Sequence, residues 1–374
     1  MLYFSKLRII LISLLTFFFI FIALSNFQDA ENSFISKRVN LGLDLQGGSY
    51  LLLEIDNKPV ELQKLQNTTT VIRNYLKDKK IIFTDLRISD NAIFFNVSNP
   101  DNEIVKNFFL DKESEINPYY NQYKSHQFDL LVQKNEFKLS LSKYGLIEIK
   151  TSSQDQAIEI VRRRVDEVGT NEPNILKRGN NRILVELPGL DDPMRVKSLL
   201  GKTANLTFRF VTQNNNDTFG AEILKFEDDT NEALVSKRII LSGENLLDAQ
   251  PQMNNQTNET VVSFTLDRVG AKRFGKATRT GVGKQLAIVL DGKIVSAPVI
   301  RDAIVSGSGQ ISGNFTFQSA TDLALLLRSG ALPAPLNIIE ERTVGPELGQ
   351  DSINAGVFAL LIGFLLVIIF MFFK

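Results

Sequence analysis

The stretch VRRRVDEVGTNEPNILKRGNNRILVELPGLDDPMRVKSLL, Val161 to Leu200, decides how this chain folds. Ala157, Val161, Val165 and Val168 recur at helical spacing and make one apolar stripe, and Gly169 ends that helix. Ile183, Val185 and Leu187 alternate as in a half-buried strand. Asp192 is placed to cap a second helix with Pro193 at its first position, and Gly201 closes it. Leu206, Phe208 and Phe210 then alternate as another strand. With Ile147 and Ile149 read as a strand ahead of the first helix, the order is βαββαβ, the ferredoxin-like arrangement.

The same pattern occurs upstream in VIRNYLKDKKIIFTDLRISDNAIFFNVSNPDNEIVKNFFL, Val71 to Leu110. Asn91–Ala92–Ile93 aligns with Asn181–Arg182–Ile183, and Asp101 aligns with Asp191. Each copy reads helix, strand, tight polar turn, strand, helix. Entered from an apolar strand at Ser49 to Asp56, the first copy suggests a second unit of the same kind. The expected fold class is α+β, a duplicated sandwich.

Thr212 to Glu232 is polar and acidic, a natural boundary, and a distinct α+β section follows. Val261 to Leu266 reads as a strand and Arg268 to Thr280 as a helix. Leu286 to Leu290 and Ile294 to Val299 read as a hairpin around Asp291–Gly292, a favoured two-residue turn. Ser319 to Arg328 is a helix with Ser319 and Asp322 spaced as a capping box. Gly330 stops it, and Pro333 and Pro335 force an extended exit.

The most apolar material lies at the two ends. Ile9 to Leu24 is uncharged, broken only by Ser13 and Thr16, and Ala355 to Phe373 is a second uncharged run. At about 1.5 Å per residue the second matches the hydrocarbon thickness of a bilayer. The first is shorter, extended by Leu7 and the snorkelling chains of Lys6 and Arg8. Both read as membrane spans, although the first, with its small-residue patch at Ala23 to Ser25, also fits a cleavable signal peptide. On either reading the segment between the runs is exported, with Lys6 and Arg8 on the cytoplasmic side.

Composition removes several function classes. The 374 residues carry 42 basic and 42 acidic side chains, which argues against a nucleic-acid partner. There are no cysteines and a single histidine, His126, so thiolate chemistry, Cys-ligated zinc, a multi-His metal site and a His relay are all out of reach. Gly201–Lys202–Thr203 mimics the end of a phosphate loop, but Val196 stands where its first glycine belongs and a strand follows. Gly281–Val282–Gly283–Lys284 fails likewise, because Gln285 replaces the magnesium-binding hydroxyl. Asp191–Asp192 is better read as a helix start than as paired catalytic acids. Arg162–Arg163–Arg164 reads as a solvated helix face. No catalytic residue, cofactor site or metal site is expected.

Leu41–Gly42–Leu43–Asp44–Leu45–Gln46–Gly47–Gly48, directly after the first apolar run, resembles the opening motif of the SecD/SecF family of Sec translocase subunits, in the RND-like superfamily. Gln46 is a mild departure, since Arg or Lys is usual there. The resemblance continues at Arg162 to Gly169 and Ile183 to Gly189. It is strongest at Gly283 to Arg301 (GKQLAIVLDGKIVSAPVIR) and Leu327 to Pro335 (LRSGALPAP), and it ends at Gly345 to Ile353 (GPELGQDSI). Within these motifs Gly42, Asp44, Gly47, Gly48, Asp291, Gly292, Arg328, Gly330, Pro333, Gly345, Pro346 and Gly349 are expected to serve structure or hinge.

The resemblance implies an accessory subunit of protein export in the bacterial inner membrane. It would bind unfolded exported polypeptide on the periplasmic side and use proton-motive force together with SecF, beside the SecYEG channel. The implied division is a tail and first span at 1–25, a linker at 26–37 and a ferredoxin-like base at 38–211 with an insertion at 57–148. A mobile head at 212–335, a return strand and linker at 336–353 and a second span at 354–374 in the lipid bilayer complete it. Family members carry six spans and this chain stops after two, so an incomplete product or fragment is expected. An RND-type small-molecule exporter and a membrane-anchored periplasmic adaptor are the competing readings.

Overall fold

The computed structural model describes residues 6–25, 47–98, 101–169, 173–189, 193–212, 220–227, 231–254, 259–344 and 346–373. The chain divides into a large unit, Gly48–Thr343, and a second unit formed by its two ends.

Each end carries a helix, Lys6–Ser25 and Pro346–Phe373. Within the latter, Asp351–Met371 is long and apolar enough to cross a membrane. In the former, Ile10–Phe19 is the apolar stretch among the residues whose side chains are described, inside the longer uncharged run Ile9 to Leu24. Of the two expected spans, the C-terminal one meets the length requirement among the described residues.

The large unit contains three modules. The first is built from strand Gly48–Ile55, helix Lys143–Val168, strands Asn174–Arg178 and Arg182–Pro188, helix Pro193–Gly201 and strand Leu336–Val344. Taken in chain order, its four strands lie side by side as fourth, first, third, second. Leu51, Leu53 and Ile55 alternate onto one face and bury against Val161 and Val165 of the long helix. Fully burying each such side chain is worth about 1.5–3 kcal/mol. Gly48 opens the first strand at φ 131°, where a Cβ would sit 2.1 Å from the Leu187 carbonyl oxygen, so no side chain fits.

Two strand expectations are corrected here. Ile147 and Ile149 lie inside helix Lys143–Val168, whose N-cap is Ser142, its hydroxyl accepting from the Gly145 amide at 2.9 Å. The module's first strand is Gly48–Ile55 instead. Leu206–Phe210 pairs with Leu286–Leu290 in the third module, and the fourth strand of the first module is Leu336–Val344. Alternation marks a strand, but it does not say which sheet the strand joins.

The second module interrupts the first between its opening strand and long helix. Helix Lys58–Asp78, strands Phe83–Ser89 and Ala92–Val97 and helix Asn102–Leu110 repeat the helix–strand–strand–helix order read from the sequence. Its sheet is completed by the hairpin Phe128–Gln133 and Glu136–Leu141, not by the strand preceding the repeat. Ile72, Leu76, Ile93, Phe95, Phe109 and Phe137 form its own core.

The third module lies between helix Pro193–Gly201 and strand Leu336–Val344. It combines a four-stranded sheet containing Leu206–Phe210 and Leu286–Leu290 with a three-stranded one of Leu246–Met253, Thr260–Leu266 and Ser308–Phe315. Helices Arg268–Thr280 and Phe317–Ser329 share a core with both, centred on the rings of Phe208, Phe264 and Phe274. Asp267 caps the first helix. The second begins earlier than Ser319, because Thr316 is the N-cap and accepts from the Ser319 amide.

Candidate functional site: the junction between the first and third modules

Two chain segments, 202–205 and 330–335, connect these modules, and one side chain holds both. Arg164 lies a turn before the end of helix Lys143–Val168 and is 1% exposed, whereas Arg162 and Arg163 are exposed as the sequence reading expected of all three. Its Nη1 donates to the carbonyls of Leu199 at 2.7 Å and Lys202 at 2.5 Å. Its Nη2 donates to the carbonyls of Thr203 at 3.3 Å and Gly330 at 3.2 Å. The Leu199 carbonyl belongs to the last turn of helix Pro193–Gly201 and that of Lys202 directly follows it, where acceptors are left unpaired and the dipole favours a cation.

Burying a guanidinium costs several kcal/mol. Four charge-assisted hydrogen bonds, each worth about 1.5–3 kcal/mol, offset that cost. Burial lowers the Arg164 pKa to about 10, and the carboxylate of Asp291 opposes the shift. Arg164 is therefore a cation at neutral pH.

Asp291 and Gly292 form the hairpin turn expected of them, with φ of 49° and 81°. The Asp291 carboxylate also accepts from the Thr203 hydroxyl, from the Ala204 amide at 3.1 Å and from the Asn205 amide at 2.8 Å. Thr203 is thus held between cation and anion. Gly330 ends helix Phe317–Ser329 at φ 93° and presents its carbonyl to Arg164. The Leu332 amide donates to the Thr203 carbonyl at 2.8 Å, bonding the two connections to each other. Pro333 sits between Leu332 and Ala334, which are buried in the first module's core.

Ion pairs flank this centre. Arg328 pairs with Glu167, and Arg195 Nη2 meets Asp322 Oδ1 at 2.9 Å. Asp322, expected as half of a capping box, reaches across to the first module instead. The apolar part of the junction is Leu199, Ala204, Leu325 and Leu326, with Val168 against them.

Asp291, Gly292, Arg328, Gly330 and Pro333 therefore come together at the junction. Gly47 and Gly48 stand at the start of the first strand, at φ 73° and 131°. Pro346 and Gly349 lie in the C-terminal helix. Gly42, Asp44 and Gly345, like Asp191 and Asp192, fall outside the described residues. The residue that sequence reasoning missed is Arg164, although a signal existed: it occupies the apolar stripe, three positions after Val161 and four before Val168.

The third module also holds an apolar cavity of about 310 Å³ lined by Phe208, Phe264, Phe274, Leu286, Ile288 and Ile300.

Three family models match the chain. SecDF, P1 head subdomain, matches residues 221–334, and Protein translocase subunit SecDF, P1 domain, N-terminal, matches 154–213. The SecD/SecF GG motif matches 33–58. Protein translocase subunit SecD of Rickettsia felis is 40% identical over 378 residues, covering 98% of this chain and 71% of that protein. That of Acetobacter pasteurianus is 40% identical over 346 residues, covering 90% and 65%. The crystal structure of SecDF in its super-membrane-facing form superposes with a TM-score of 0.51 at 27% identity, covering 96% of this chain and 39% of the other.

Proposed function

The chain belongs to the SecD family of protein translocase subunits, and we propose that its large unit grips exported polypeptide on the periplasmic side and moves it by turning the third module on the first. In this reading the first module is a ferredoxin-like base, supported by its βαββαβ order and its fourth–first–third–second sheet. The third module is the head, expected at 212–335, and strand Leu206–Phe210 ahead of that boundary pairs within its sheet. The second module is an insertion in the base. Helices Lys6–Ser25 and Pro346–Phe373 both anchor the chain in the bacterial inner membrane. SecF and the SecYEG channel are its partners, and proton-motive force is its energy source.

The observation that carries this reading is the junction itself, where two chain connections converge on Arg164 between two separate cores. The apolar cavity beside Phe208 suits a hydrophobic side chain of an extended polypeptide. The test places cysteines at Arg195 and Asp322 in the complete subunit and bridges them with a short, reducible bis-thiol linker. Release of an exported reporter should stop while the bridge is closed and resume on reduction. Undiminished export with the bridge closed would refute the turning head.

A further inference from the structure

Among the described residues, one small apolar cluster joins the first and third modules. Their cores are separate, and the cluster joining them has four fully buried members, Leu199, Ala204, Leu325 and Leu326. Besides that cluster, the ties between the modules are polar, and they come in two kinds. Arg164 is sealed from solvent and bonds the outgoing connection through Lys202 and Thr203 and the returning one through Gly330. Because both connections meet at one planar group, and bond to each other there, a rotation about it lengthens neither. The ion pairs are different. Side-chain exposure is 32% and 24% for Arg195 and Asp322, and 38% and 34% for Arg328 and Glu167. Charges open to solvent in this way attract weakly and are screened by salt, while a buried guanidinium is not.

The placement of the pairs is specific. Asp322 and Arg328 lie on either side of Leu325 and Leu326 along helix Phe317–Ser329. One reaches helix Pro193–Gly201 and the other helix Lys143–Val168, so a single helix of the third module is clamped to two helices of the first. We infer that Arg164 is a permanent pivot and that Arg195–Asp322 and Glu167–Arg328 are two salt-sensitive latches holding the orientation seen here. This inference rests on the turning-head reading, but its test reads module orientation in the purified chain and involves no export.

The chain has no cysteine, so spin labels can be placed cleanly at Glu159 in the first module and Lys276 in the third, both exposed. Distances between the labels are measured by double electron–electron resonance on the full chain in detergent, at about 0.02 M and about 0.5 M NaCl. High salt should raise a second distance population in the parent chain. Asp322→Asn and Glu167→Gln should each raise it roughly fivefold at low salt, and the double variant should no longer respond to salt. Arg164→Lys keeps the charge but not the planar fork, and should broaden every population rather than add one. A distribution unmoved by salt and by both latch substitutions would overturn the latches. An Arg164→Lys distribution as narrow as the parent's would overturn the pivot.

Discussion

Arg164 and Gly330 are separated by 166 positions, yet Arg164 Nη2 donates to the Gly330 carbonyl at 3.2 Å. The bond closes the third module into a loop that leaves the first module and returns to it at one guanidinium. Arg164→Met would leave the carbonyls of Leu199, Lys202 and Gly330 without the guanidinium donor in a buried place, while that of Thr203 keeps the Leu332 amide. Removing one side of such a buried charged network costs about 3–5 kcal/mol. The melting temperature of the large unit should fall by several degrees, read by calorimetry, with Arg164→Lys falling less. Because the Arg164 pKa is lowered only to about 10, the cation is present in folded and unfolded chains alike through the neutral range. Its folded pKa lies below its ordinary value, so any pH-linked gain from this group appears only as pH rises above about 10. The deficit of Arg164→Met should therefore be flat from about pH 5 to about pH 9, and a slope there would mean another group carries the effect.

Gly330 offers a cleaner test of backbone strain. It sits at φ 93° and ψ 165°, a region open in practice to glycine alone, and a Cβ there would meet nothing within 4 Å. Gly330→Ala therefore adds strain without a clash and should cost about 1–3 kcal/mol. Thermal melting of the variant measures that cost. A neutral result would show that the turn after helix Phe317–Ser329 relaxes freely.

Asp267 gives the third module an acid-sensitive cap. Its carboxylate accepts from the Gly270 amide, which holds its pKa below the ordinary carboxylate value, aided by Asn245. A depressed folded pKa contributes stability that is present above the unfolded pKa and is lost as pH falls through the folded one. Asp267→Ala should lower the melting temperature at pH 7, and the difference should shrink below about pH 4. A difference that persists unchanged at about pH 2 would assign the effect to packing instead.

How much of this was legible in the sequence depends on the range of each interaction. The repeat was readable because two strands joined by a tight turn and flanked by helices are set by local pattern. The edges of the first module were not. Its opening strand, Gly48–Ile55, is separated from its long helix by the whole second module, and its last strand returns only after the third. Ile147 and Ile149 look like alternation, but Ser142 caps a helix directly ahead of them and the helical period continues to Val168. At the junction, Asp291, Gly292, Gly330 and Pro333 were visible as turn and stop residues, because glycine, proline and Asp-Gly act through backbone geometry. Arg164 was hidden by its two neighbours: three arginines in a row suggest solvent, and only the stripe through Val161 and Val165 separates the buried one from the exposed pair.

The N-terminal helix poses the last prediction. Its uncharged run, Ile9 to Leu24, covers about 24 Å, somewhat less than a hydrocarbon core. The whole helix, Lys6–Ser25, runs for 20 residues and so reaches about 30 Å, enough to span if its ends lie at the interfaces. A cleaved leader needs no such length, whereas an anchor does. With Arg8 held on the cytoplasmic side, an epitope tag at the N-terminus should remain on the mature protein and stay with the membrane after an alkaline wash. Lys272→Cys in the third module should react with a membrane-impermeant maleimide in intact spheroplasts, since that position is exposed and the parent chain has no thiol to compete. Loss of the tag with labelling intact would replace the anchor by a removed leader. Failure of the label to react would overturn export of the large unit itself.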